Sequence, residues 1–472
     1  MKISKAEPGA WLIVALLFAF MLINFVDKAV IGLAGVPIMQ EMNLTPGQFG
    51  LIGSSFFFLF SISSIATGFL VNRVQTRWAL LAMGLIWALT QFPMVGSVGF
   101  ATMIACRIAL GAGEGPAYPV ALHSTYKFFP NELRTLPTAV IAQGASIGVM
   151  ALVEKPVPSP GPGEVLVRLK AATLNYRDLL TVKGGYGSRQ KFPLIPLSDG
   201  AGVVEAVGSD VTQLKRGERV IGSFFEGWLG GDPDETKMHT GLGGALDGVL
   251  QEYRVFPAHA LVKTPDHLSD AEAASLPCAG LTAWSAVVKL GNVKPGQTVL
   301  TQGTGGVSIF ALQFAKMSGA RVIATSSSDA KIERLKELGA DLTINYKTTP
   351  DWGKVARQST ARGVDLVVEV GGVGTLNESI RATKIGGTIA FIGVLAGQPE
   401  APPRISLMVM QQQRLQGTTV GSIEDLQAMV SAIAQNKMKP VMDKSFPFER
   451  AKEAFAYMAS GRHFGKVSIA LA

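Results

Sequence analysis

Residues 298–325 read TVLTQGTGGVSIFALQFAKMSGARVIAT, and the order of residue types in this stretch decides the fold of the larger part of the chain. TVLTQ is a short β-branched and apolar run, which predicts a buried strand. Gly303-Thr304-Gly305-Gly306-Val307-Ser308 follows, then an apolar helical stretch to Met317, a Ser318-Gly319 stop and a second strand from Arg321 to Thr325. Strand, glycine turn, helix and strand in that order are the setting in which such a turn binds a dinucleotide. Gly303 permits the tight turn. Gly305 has no Cβ to keep a pyrophosphate from the backbone, and the amides and dipole at the helix start hold the phosphates. Ser308 stands at the third glycine position, small but a departure from the motif.

The strand end after the turn bears on the choice of nucleotide. NAD enzymes place an Asp or Glu there to hold the ribose 2′-hydroxyl. This chain has Thr325-Ser326-Ser327-Ser328, and its first carboxylate, Asp329, is placed to cap the next helix. Lys331 lies in the first turn of that helix, within reach of a 2′-phosphate. NADPH is therefore expected rather than NADH.

The 472 residues allow roughly two to four domains. Charge is unevenly spread: residues 1–150 hold eight basic and five acidic side chains, and the other 322 hold 35 and 30. The first third is poor in charge, and the rest has the balance of an ordinary soluble protein. The net charge of +8 comes from scattered residues without a basic run, so no nucleic-acid partner is expected. Two cysteines, Cys106 and Cys278, are too few for a disulfide scaffold or a four-cysteine zinc site. The five histidines show no metal-ligand spacing.

Four apolar stretches fill the first third, at residues 11–26, 49–71, 78–98 and 100–122, with part of a fifth at 136–153. A bilayer span takes about 20 apolar residues, so all-α transmembrane helices are expected here. Four stretches in succession do not fit a signal peptide. Lys2, Lys5, Arg73, Arg77, Lys127 and Arg134 would all be cytoplasmic under the positive-inside rule. GFLVNRVQTRWAL from Gly68 and RIALGAGEGPAYP from Arg107 resemble the start of a major-facilitator transporter of the anion:cation symporter type. Asn72 replaces that family's usual Asp. Arg107 and Glu114 would then be charges inside a membrane helix: either functional groups or a pair that only joins helices. Such transporters carry roughly twelve spans in two halves. Residues 1–150 supply a truncated segment of four to five helices, which is expected not to transport alone.

At residues 151–163, ALVEKPVPSPGPG, prolines at 156, 158, 160 and 162 end the helical pattern. Strand-like runs follow. ATLNYRDLL, PLSDGAGVVEAVG, LPCAGLTAW, QGTGGVSIFALQ, ATSSSDAK and HFGKVSI occur in an order that resembles the zinc-independent alcohol dehydrogenase and quinone-oxidoreductase branch of the medium-chain dehydrogenases. The resemblance implies a multidomain chain. A GroES-like β-barrel catalytic domain would cover residues 152–276 plus 420–472, and an α/β Rossmann NADP-binding domain residues 277–419. Members carry a first strand ahead of the Pro-rich stretch. It is missing here, which would leave barrel edges unpaired. Two truncated partners point to a chimeric gene more than to an evolved bifunctional enzyme.

The same resemblance assigns residues. In zinc enzymes of this fold a Cys would stand at Asn175, a His at Ser198 and a Glu at Asp199, and Cys278 alone matches a ligand position. One thiolate cannot hold a catalytic zinc that needs three protein ligands, so no metal is expected. Asn175 and Tyr176 become the catalytic candidates: Asn175 as a donor to a developing oxyanion, Tyr176 as a proton donor or pocket wall. The open alternative is that both only shape the loop. Arg177 and Asp178 read as a structural ion pair. Tyr346 matches the position at which related quinone reductases touch the 2′-phosphate. Cofactor contacts are thus expected at Gly303, Thr304, Gly305, Gly306, Val307, Ser326, Lys331 and Tyr346, at Ile392 and Val394 beside the nicotinamide, and at Phe464. The insert at 223–247 would overhang the pocket.

The expected function is hydride transfer from NADPH to a carbonyl, quinone or activated alkene of a small-molecule substrate. The expected location is an inner or plasma membrane, with the N-terminal helices in the lipid bilayer and the dehydrogenase part cytoplasmic. A homodimer is left open. So are two other readings: a transporter fragment with an incidental tail, and a chimeric product with neither activity.

Overall fold

A computed structural model describes residues 7, 9–33, 35–71, 73–94, 98–130, 134, 137–138, 150–183, 193–393, 395 and 401–471. The chain divides into two units, Met1–Val149 and Met150–Ala472.

The first unit is helical: Ala10–Leu33, Gly35–Glu41, Pro46–Leu70, Thr76–Gln91, Phe100–Glu114 and Ala117–Tyr126. Pro46–Leu70 starts on a capping box, in which Thr45 and Gln48 satisfy each other's backbone amides. Phe100–Glu114 packs closely on it, since a Cβ at Gly111 would lie 1.9 Å from the Phe56 carbonyl oxygen. The Arg107 guanidinium stacks 4.9 Å over the Phe56 ring. Among the described residues one helix is long and apolar enough to cross a bilayer, Gly47–Leu70, with 24 residues. Of the four expected stretches, the first holds a shorter apolar helix, Ala10–Asn24. The third stops at Gln91 and tightens into a short turn over Phe92–Met94. The fourth breaks at Gly115-Pro116, where a proline has no N–H to continue the ladder. The fifth lies largely outside the described residues.

The second unit holds two sheets. The first is built from β1 (Glu164–Thr173), β2 (Asp199–Val207), β3 (Arg219–Gly222), β4 (Tyr253–Pro257) and β5 (Leu261–Lys263). Valines and leucines recur along β1, which is buried over most of its length; Val165, Val167, Leu169, Val204, Phe256 and Ile469 share its core. β1 has β2 along one edge, with β4 and the last strand of the chain along the other. Neither edge of β1 is therefore open over its paired residues.

The second sheet consists of β6 (Thr298–Gln302), β7 (Arg321–Ser326), β8 (Leu342–Asn345), β9 (Val364–Glu369), β10 (Thr383–Phe391) and β11 (Arg414–Gly417). Every pair is parallel, in the order β11-β10-β9-β6-β7-β8. β6 is buried throughout and β9 nearly so, as parallel strands covered on both faces require. The order reverses between β6 and β9, so a crevice opens at their carboxyl ends, where open α/β sheets bind ligands. The helix Gly306–Met317 packs on this sheet through Phe310 and Phe314. The chain then returns to the first sheet as β12 (Met442–Pro447) and β13 (Lys466–Ala470).

Candidate active site

The glycine turn sits at the reversal point. Gly303 has φ +69°, a left-handed conformation that disfavours other residues. Its amide donates to the Thr325 carbonyl at 2.8 Å, folding the turn toward β7. A Cβ at Gly303 or Gly305 would meet nothing within 4 Å, so the backbone here faces open space. Gly306 begins the helix, whose first amides have no partner within it. Ser308 Oγ donates to the Gln302 carbonyl at 2.6 Å and fastens the helix start to β6. Thr304 is buried and Val307 partly so. A glycine turn at a helix start with room in front of it fits a pyrophosphate.

Ser326 is buried at the end of β7, and the Tyr346 amide donates to its carbonyl at 3.0 Å. The Tyr346 ring is partly exposed beside it. Ser328, not Asp329, is the N-cap of the next helix; the Asp329 carboxylate accepts from Asn345 Nδ2 at 2.7 Å. Lys331 Nζ donates to the Gly461 and His463 carbonyls at 2.9 and 2.8 Å, and burial lowers its pKa from the usual lysine value. A 2′-phosphate would have to share this ammonium with two carbonyls. Ile392 lies at the strand end next to Glu369, whose carbonyl accepts its amide at 2.9 Å. Val394 lies outside the described residues. Phe464 is 1% exposed, with the Arg334 guanidinium 3.9 Å over its ring, so the ring is part of the core.

The catalytic candidates lie in a buried polar cluster. Asn175 is the N-cap of the Tyr176–Val182 helix, and its backbone amide donates to Asp178 Oδ2 at 2.7 Å. Its Nδ2 donates to Asp199 Oδ2 at 2.9 Å. Its Oδ1 accepts from Lys466 Nζ at 2.6 Å, which fixes the amide's orientation. Lys466 Nζ also donates to the Leu174 carbonyl at 2.8 Å and to Asp199 Oδ2 at 3.4 Å. Asp199 Oδ1 accepts from Ser198 Oγ at 2.8 Å. Burial pushes the Cys278 thiol well up from its ordinary value; the charge of Asp199 adds to the rise and that of Lys466 opposes it. Tyr176 opens the helix and is half exposed.

Arg177 and Asp178 do form an ion pair, at 3.6 Å. Burial pushes Asp178 up to about 6, against the pull of Arg177. Arg177 also donates to the carbonyls of Leu242 and Gly243 at 2.6 and 3.1 Å, holding the 223–247 insert against the helix.

Two groups here escaped the sequence reading. Lys466 was visible only as a charged residue opening an apolar strand. Glu369 was visible as a carboxylate ending VDLVVE. Its Oε1 accepts from the amides of Gly371 and Gly372 and from Thr375 Oγ1, at 2.8, 2.9 and 2.6 Å; its Oε2 accepts from Gln302 Nε2 at 2.7 Å and from Ser379. This network ties β6 to β9 under the crevice.

A dinucleotide cradle at the reversal of a parallel sheet, joined to a mainly antiparallel sheet that returns at the C-terminus, defines a two-sheet oxidoreductase. Known proteins agree. Residues 306–435 match the zinc-binding dehydrogenase family and residues 161–266 the alcohol dehydrogenase GroES-like domain; residues 16–153 match the Major Facilitator Superfamily. A zinc-type alcohol dehydrogenase-like protein of Schizosaccharomyces pombe is 47% identical over 312 residues, which cover 65% of this chain and 90% of that protein. The crystal structure of an alcohol dehydrogenase from Sinorhizobium meliloti superposes with a TM-score of 0.64 at 43% identity, covering 68% of this chain and 94% of that one. A 2-octenoyl-CoA carboxylase reductase, solved with NADP and 2-octenoyl-CoA, gives 0.60 at 26% identity, covering 68% and 82%. Through its C-terminal part the chain belongs to the medium-chain alcohol dehydrogenase/quinone oxidoreductase family, preceded by a transporter-like fragment.

Proposed function

We propose that residues 150–472 form a zinc-independent NADP(H)-dependent oxidoreductase that reduces a carbonyl, quinone or activated alkene of a small-molecule substrate. The observation that carries this reading is the Lys466 ammonium set against Asn175 and Asp199. The positions that resemble a zinc-ligand set hold an amide, a hydroxyl, a carboxylate already facing a cation, and one thiol. A zinc ion would lack ligands there and would meet a fixed positive charge. Among the described residues no group of three His, Cys, Asp or Glu side chains is placed to hold a metal.

The preference for NADP(H) rests on Ser326, which offers no carboxylate, and on the exposed Tyr346 ring beside it. Bound NADPH would supply the hydride. The turn amides hold the pyrophosphate. Asn175 donates to the oxygen of the acceptor, and Tyr176 lines the entrance or returns a proton. The insert, held by Arg177 and by the Arg254–Glu226 pair at 2.5 Å, limits water. The N-terminal helices lie in a bilayer with the enzyme on the cytoplasmic side. β11, exposed along its length with Leu415 outward, offers an edge to a second copy in a homodimer.

The test is made on the detergent-solubilised full chain. NADPH should raise its Tm more than NADH, NADPH should be oxidised with at least one of an aldehyde, a quinone or an enone, and chelators should leave the rate unchanged. A rate lost to chelation and restored by Zn²⁺ overturns the metal-free reading. Larger stabilisation by NADH overturns the nucleotide preference.

A further inference from the structure

We infer that Lys466 is a positioning residue for the reduction: a buried cation whose task is to hold the Asn175 amide with its N–H₂ group toward the reacting oxygen. The inference rests on the activity proposed above. An ammonium has three hydrogens, and Lys466 spends them on Leu174, Asn175 and Asp199. Its side chain is 3% exposed, so it does not reach a substrate and acts through its neighbours. A buried charge is costly, and placing one beside a carboxylate stabilises a fold less than an apolar pair of the same volume often would. Its retention here calls for a local reason.

The geometry supplies one. A carboxylate only accepts and an ammonium only donates. With a cation on one side and a carboxylate on the other, the oxygen must face Lys466 and the nitrogen Asp199. Nδ2 has two hydrogens and Asp199 takes one, which leaves the other for the acceptor oxygen. The surroundings are shaped for this lysine. A Cβ at Gly306 would lie 2.6 Å from Lys466 Cδ, so the turn glycine clears the path of its stem. Gly465, the preceding residue, donates its amide to the Thr304 carbonyl at 2.9 Å. The lysine is thus tied to the glycine turn through the residue before it and to Asn175 through its ammonium.

Removing the lysine alone would strand the Asp199 charge and could unfold the chain. The test therefore uses Asp199→Asn as background, in which Lys466→Met leaves neither charge of the Lys466–Asp199 pair. Full chains carrying Asp199→Asn, Asp199→Asn with Lys466→Met, Asp199→Asn with Asn175→Ala, and all three are compared. With Tm close to the background, Lys466→Met should lower kcat about a hundredfold, the scale of one misplaced oxyanion donor. KM for NADPH should stay within about threefold, because the turn is untouched. Asn175→Ala should cost the same, and adding the two should cost no more than either. Losses that multiply, or a kcat that Lys466→Met leaves within threefold of the background, overturn the inference. Absence of turnover in the parent chain with any acceptor overturns the proposed activity itself, and this role with it.

Discussion

Gly465 and Thr304 join the last strand of the chain to the first turn of the nucleotide site, through one amide-to-carbonyl bond of 2.9 Å and a bridge between Gly305 and Gly465. Gly465 holds φ +82°, and a Cβ there would lie 2.3 Å from the Val441 carbonyl oxygen. Gly465→Ala should therefore cost about 2–4 kcal/mol, from left-handed strain and backbone overlap together. Calorimetry should find a lowered Tm with little rescue by NADPH. Gly305→Ala is the control, since its Cβ would meet open space. It should leave the nucleotide-free protein within about 0.5 kcal/mol of the parent while weakening NADPH by about tenfold or more, as a methyl group fills the phosphate cradle. Equal effects of the two changes, with and without nucleotide, would refute the cradle.

The end of β7 provides a second prediction. Ser326→Asp places a carboxylate where a 2′-phosphate is expected and where NAD enzymes hold a ribose hydroxyl. The ratio of NADPH to NADH affinity should fall about 10- to 100-fold, or about 1.4–2.8 kcal/mol. Titration of protein fluorescence with each nucleotide measures it. An unchanged ratio would mean that the 2′-phosphate does not approach Ser326.

The glycine turn was legible because its work is done by backbone and by the absence of side chains, which a sequence displays directly. The strands on either side of it were legible from composition: β6 and β7 are β-branched and apolar runs that suit burial. Lys466 was not legible as a site residue. Its partner Asn175 lies 291 positions away, and only the return of β13 to β1 brings them together. Lys331 was legible as a cation in the helix after β7 but not as one already bonded to Gly461 and His463, because those carbonyls come from a loop 130 and 132 positions further along the chain. At Phe464 the sequence did not display that the ring turns into the core while its neighbour Gly465 meets the turn.

Asp178 provides a pH test. The fold holds its carboxyl more easily protonated than in the unfolded chain, raised from the ordinary 3.8 to about 6 by burial. The contribution of its protonated form to stability is complete below the ordinary value and is lost as pH rises through about 6. A rise from 3.8 to about 6 corresponds to about 3 kcal/mol. Asp178→Asn is neutral at every pH and keeps an acceptor for the Asn175 amide. The stability of the parent relative to this variant should therefore fall by up to about that much between pH 4 and pH 8. A difference that stays flat across the range would show that Asp178 is not held this way.

The helix Gly47–Leu70 makes the last prediction. Phe56 is 1% exposed against its neighbours, whereas Phe57, Phe58 and Phe69 are 60%, 68% and 75% exposed. In water each such ring forgoes roughly 2 kcal/mol of burial, and a helix with apolar side chains on its outer face has no stable place there. In lipid the same face is satisfied. The full chain should stay with the membrane pellet after an alkaline carbonate wash. Phe58→Arg, which puts a charge near the middle of the span, should reduce that retention, since a central arginine costs about 2.5–3.5 kcal/mol on insertion. A fluorescent protein fused after residue 165 should glow if the dehydrogenase part faces the cytoplasm, while a periplasm-dependent phosphatase at the same point should stay inactive. Release of the chain by carbonate would remove the membrane reading. An active phosphatase would put the NADPH site on the side where NADPH is scarce and would remove the case for turnover by this chain.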